Sequence, residues 1–122
     1  MWTTTERRAR RSEDLYEALT FLLASQRERA GLDQLVLATP DGCLVACDGD
    51  PQVAEEYAAY APVIARDGGV GMDPWTLAGV AVHEFRAGDL DLLLVLRGVA
   101  PTERLAAAVM ASIQGAARIL AR

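Results

Sequence analysis

The sequence predicts an α/β (α+β) domain in which a central antiparallel sheet of about four to five strands carries helices on its faces. Three observations predict it. Residues 15–23 place leucines and alanines at helical spacing. Residues 34–47 form two short apolar runs around a Pro-Asp-Gly turn. Residues 90–96 are apolar on both faces of a strand, and such a strand requires cover on both sides. The chain has 122 residues, of which 52% are apolar. That suits one domain, able to build a core without disulfides or metals.

Taken in order, residues 1–11 read as a flexible basic N-terminus and residues 12–122 as the folded domain. Ser12 is an N-cap, followed by Glu13 and Asp14 in the first turn, where they complement the helix dipole. Leu15, Ala18, Leu19, Leu22 and Leu23 then mark one face of a helix over residues 13–29, and Gly31 is its stop. Gln34–Thr39 is a strand, Thr39-Pro40-Asp41-Gly42 a turn, and Cys43–Cys47 the returning strand. Asp50-Pro51 opens a second helix with Val53, Tyr57, Tyr60 and Ile64 on one stripe, and Pro62 is expected to bend or end it near Ala61.

Gly68-Gly69-Val70-Gly71 is a flexible connector, and Asp73-Pro74 punctuates its end. Thr76–Phe85 and Leu90–Leu96 are strands joined at Ala87-Gly88-Asp89. On the second of them Leu90, Leu92, Leu94 and Leu96 share one face, and Leu93 and Val95 the other. One face is expected to lie under helices, the other under a further helix or a second subunit. Pro101-Thr102-Glu103 opens the last helix, whose stripe is Leu105, Val109, Ile113 and Leu120.

The net charge is −5. Residues 31–122 hold six arginines against twelve acids. Such an acidic body excludes nucleic acid as the main partner, since phosphate binding needs a basic surface. The cluster Arg7, Arg8, Arg10 and Arg11 is read as a solvated terminus. No apolar stretch approaches the roughly 20 residues that span a bilayer, so no membrane insertion is expected. Nor does a secretory signal precede the first helix. Cys43 and Cys47 would lie roughly 13 Å apart along one strand, too far for a disulfide. Reduced thiols fit a cytoplasmic protein.

Catalytic and metal sets are not evident. His83 is the only histidine, and only the fold could bring it to a cysteine. Asp41, Asp48 and Asp50 lack the register of a cation loop, and turn formation and capping account for them. Gly68–Gly71 lacks the Lys-Ser/Thr of a phosphate loop. No cofactor is expected.

The order α-β-β-α-(β)-β-β-α resembles the Roadblock/dynein light chain family, a profilin-like fold. The residues that carry the resemblance are Gly31-Leu32-Asp33-Gln34-Leu35-Val36-Leu37-Ala38, the Asp41-Gly42 turn, Leu44-Val45-Ala46, and Asp91–Leu96 with Gly98 before a final helix. The family places three strands between its second and last helices, of which this sequence declares two; Val70–Met72 is a degenerate third strand, or the sheet is smaller. The resemblance implies a bacterial, non-catalytic, homodimeric scaffold or regulator of a Ras-like small GTPase, not an enzyme. It places the homodimer contact on the second helix and the first of those three strands. Val53, Tyr57, Tyr60, Ile64 and Trp75 are the candidate dimer or partner interface, with Tyr57 and Tyr60 equally suited to the core. The alternative is a small-molecule-binding sensory domain of PAS/GAF type, for which the sequence offers few polar groups to orient a ligand.

Overall fold

The structure, a computed structural model, describes residues 4–121. Its elements are α1 (Thr4–Ala30), β1 (Gln34–Ala38), β2 (Leu44–Asp48), α2 (Pro51–Asp67), the single turn α3 (Pro74–Leu77), β3 (Val80–Ala87), β4 (Leu90–Arg97) and α4 (Thr102–Leu120). The four strands form one antiparallel sheet in the order β2-β1-β4-β3.

β1 and β4 occupy the middle, and both are buried on both faces. Leu35, Leu37, Leu92, Leu94 and Leu96 pack against Leu19 and Leu23 of α1 and Ala108, Ala116 and Ile119 of α4. Val36, Ala38, Leu93 and Val95 pack against Ala54, Tyr57, Ala58 and Ala61 of α2. The alternation of residues 90–96 between two faces is therefore as expected, and the second cover is a helix of the same chain. The inner strands alone do not require a second subunit.

Local signals explain most element boundaries. Gly31, at φ 72°, ends α1, and its N–H and that of Leu32 both return to the Arg27 carbonyl. The Asp50 side chain accepts from the Gln52 N–H at 2.9 Å, with Pro51 at the first helical position. The 39–42 turn closes through Gly42 N–H to the Thr39 carbonyl at 3.0 Å. At the other end of β2, Arg27 Nε donates to Asp48, and its Nη1 reaches the Leu32 carbonyl at 3.3 Å, so one guanidinium ties α1 to the β2 edge.

Three expectations are corrected. The first helix opens at Thr4, not near Ser12. The arginine-rich stretch contains strong helix formers and no breaker, so Ser12 is simply carried within the helix. Residues 1–3 lie outside the described residues. α2 runs through Pro62 to Asp67. The Ala58 carbonyl, which Pro62 cannot bond, faces Gly42, where a Cβ would stand 3.4 Å from that oxygen. A hairpin turn without a side chain thus covers the gap.

The third correction concerns residues 74–77, which form a helical turn, so the third strand starts at Val80 rather than Thr76. Asp73 accepts from the Trp75 N–H at 3.3 Å, repeating the Asp50-Pro51 capping signal, and Gly79 at φ 68° turns the chain into β3. Of the two alternatives for Val70–Met72, the smaller sheet is the one found: these are turn and bend residues, and the sheet holds four strands.

The double burial of β4 predicts a sharp contrast along one strand. Leu94→Ala should cost about 3 kcal/mol by the cavity it opens, whereas Leu90→Ala, at a residue 53% exposed, should cost less than about 1. Urea denaturation midpoints of the two variants check this.

Candidate protein-interaction surface

Alanines decide how α2 sits. Ala54, Ala58 and Ala61 are fully buried against the sheet, and their small side chains let the helix approach closely. The larger residues of the expected stripe are displaced to one side of this contact. Tyr57 is only 6% exposed and belongs to the core. Its ring lies under the Arg97 guanidinium, 5.6 Å from the centroid, and meets Tyr60 edge-on at 6.2 Å. Val53, Tyr60 and Ile64 are half-buried.

Their direction follows from the helix. At roughly 100° per residue, Val53, Tyr60 and Ile64 share a flank opposite Glu55. Glu55 faces β2, where its carboxylate acts on Cys47. The apolar flank therefore faces β3. Beside it β3 is an open edge of eight residues, half of them exposed, with Val80 and Val82 half-covered by α2. Trp75 stands just before this strand at 85% exposure, and Val70 is likewise exposed.

Toward the β3–β4 turn lies a groove of about 560 Å³ between Pro40, Pro62, Arg66, Glu84, Arg86 and Asp91. The structure thus brings Val53, Tyr60 and Ile64 together beside one sheet edge, sets Tyr57 beneath them, and leaves Trp75 in the loop leading to that edge. The edge itself went unnoticed in the sequence, where strand order is not visible.

The other singled-out residues stay apart. Asp50 caps α2, Asp48 pairs with Arg27, and Asp41 is exposed in its turn. His83 lies on β3 and the cysteines at β2, three strand spacings or about 14 Å away across the sheet. Cys43 and Cys47 are free. Among the described residues, no three His, Cys, Asp or Glu side chains gather as a metal would require. No helix of the described residues is long and apolar enough to cross a membrane. Gly68 caps α2, and Gly69 packs where a Cβ would come within 2.7 Å of Leu77 Cδ2.

No protein-family model and no curated protein matches the chain. Solved structures do. The chain is similar to MglB of Myxococcus xanthus at TM-score 0.62 and 12% identity, covering 86% of this chain and 89% of that one. It is similar to a Roadblock/LC7 domain from Streptomyces avermitilis at TM-score 0.60 and 22% identity, covering 84% and 98%. The gliding protein MglB from Thermus thermophilus follows at TM-score 0.55 and 18% identity, covering 86% and 90%. The fold expected from the sequence is the fold found: this is a Roadblock fold.

The two aromatics should separate stability from surface. Tyr57→Ala is expected to cost about 3 kcal/mol in urea unfolding, and Trp75→Ala less than about 0.5. The cysteines should separate by reactivity. Burial, then the Asp48 carboxylate and then that of Glu55, push the Cys47 thiol up. Alkylation of Cys47 at neutral pH should therefore lag that of exposed Cys43 and accelerate only well into the alkaline range, which mass spectrometry of iodoacetamide-treated protein resolves.

Proposed function

We propose that this Roadblock-fold chain is a non-catalytic, homodimeric protein-binding module of the bacterial cytoplasm that regulates or scaffolds a Ras-like small GTPase. One observation carries the reading: over more than four-fifths of its length the chain shares the fold of MglB and Roadblock structures. The apolar flank of α2 beside an open sheet edge supports it, because aromatic and β-branched side chains next to unpaired backbone groups suit a protein partner better than a small molecule. Val53, Tyr60, Ile64 and Trp75 make the contacts in this reading, and Tyr57 holds Tyr60 from below. The module acts by holding the partner's switch segments in one arrangement, with no bond chemistry of its own.

Two measurements test it. Light scattering at micromolar concentration should give twice the chain mass of 13.1 kDa. Protein immobilised and exposed to lysate of the native cell should retain a small GTPase whose GTP hydrolysis changes on adding the purified chain, and Tyr60→Ala with Trp75→Ala should abolish the retention. A monomer that retains no GTPase would remove the reading.

A further inference from the structure

α1 and α4 run side by side, tightly at one end of their contact and loosely at the other. At the tight end a Cβ on Gly115 of α4 would come within 2.7 Å of Leu22 Cδ1 of α1. At the loose end a hollow of about 200 Å³ opens between Gln26 and Arg29 of α1 and Arg104 of α4. Ala30, Ala107 and Ala111 also line it, and their short side chains keep the helices from filling the space.

Gln26 is the first sign that this hollow is polar by construction. Leu19, Leu23 and Ala30 form the buried stripe of α1, and Gln26 stands on the same stripe at 9% exposure. A leucine there would simply extend the core. Among the described residues its carboxamide makes no hydrogen bond, although a buried amide is costly to leave without a partner.

Charge is the second sign. Arg29 and Arg104 are exposed, and neither has an ion pair among the described residues. Arg29 lies in the last turn of α1, where a cation suits the helix dipole. Arg104 lies in the first turn of α4, where the dipole opposes a cation. That turn has no side-chain cap either: its N-cap is Pro101, and the first helical bond is Leu105 N–H to the Pro101 carbonyl at 3.0 Å. The N–H groups of Thr102, Glu103 and Arg104 therefore have no helical partner and add to the positive potential. No carboxylate lines the hollow.

We propose that this hollow binds a dianionic phosphoryl group, as free phosphate or as a phosphomonoester. Two guanidinium forks match the roughly −1.5 to −2 charge of a phosphomonoester, with the Gln26 amide as a further donor. A single carboxylate would leave one arginine unanswered. The volume is below the roughly 300 Å³ at which sites for whole small molecules begin, so the phosphoryl group is held and any organic remainder stays outside. The site lies on the sheet face opposite α2 and needs neither a second copy nor a GTPase.

An NMR titration of the full chain tests this, with inorganic phosphate replacing chloride at constant ionic strength and slightly alkaline pH. The Gln26 side-chain amide and the backbone amides of Thr102–Arg104 should shift saturably, with a dissociation constant of about 1 mM. Acetate should bind at least about tenfold more weakly, and Arg29→Ala and Arg104→Ala should each weaken phosphate about tenfold or more. Gln26→Leu should weaken it about threefold or more without lowering the melting temperature, because it removes a buried amide that has no partner. Phenyl phosphate binding as tightly as phosphate would assign the phosphomonoester form, and weaker binding the free ion; either supports the site. Shifts that grow without saturating, that acetate reproduces, or that survive both arginine variants would overturn it.

Discussion

The molecule is organised around a strand that cannot face water on either side. Leu92–Leu96 are all buried, with leucines toward α1 and α4 and Leu93 and Val95 toward α2. Each such side chain contributes about 1.5–3 kcal/mol by leaving water, so exposing either face would forfeit several of them at once. β1 shares the requirement. The three long helices cover the inner strands and spread onto the outer ones, α1 over β2, α4 over β3 and α2 over both. What remains uncovered is set by subtraction: β3, at the far side of β4, has one edge and much of its surface open. The interaction surface is a consequence of how the core uses its helices.

The same constraint shapes α2. A single helix covering one face of a four-stranded sheet must lie close to it, and Ala54, Ala58 and Ala61 permit that. Larger side chains cannot occupy the contact line, so Val53, Tyr60 and Ile64 fall to the flank, and Tyr57 lodges between core and surface under Arg97. The Gly42 turn packs over the carbonyl that Pro62 leaves free, and the helix continues through Pro62 to Asp67.

The fold was legible wherever a signal is local. Gly31, Asp50-Pro51, the Asp41-Gly42 turn and the two-faced strand at 90–96 each act through their own neighbours. The misreadings arise where a local signal competes with its context. Ser12 resembles a cap but sits among helix formers. Pro62 resembles a terminator but has a glycine turn to cover its defect. Asp73-Pro74 is the same cap as Asp50-Pro51, yet the apolar residues after it read as the start of a strand. At the surface, Trp75 is exposed in a loop bounded by glycines and Pro74. Tyr57 was ambiguous because the alanines that form the true contact line carry almost no hydropathy signal. The open edge was invisible because strand order is a property of the whole sheet.

The central claim is that one copy of the chain completes the cover of β4 and leaves β3 to be paired. Amide hydrogen exchange followed by NMR across a dilution series tests it most directly. The amides of Leu92–Leu96 should stay protected at every concentration. Those on the open edge of β3 should be protected in concentrated protein and lose protection on dilution into monomer. Protection of β4 that fades on dilution, or β3 edge amides that exchange freely at all concentrations, would contradict the account.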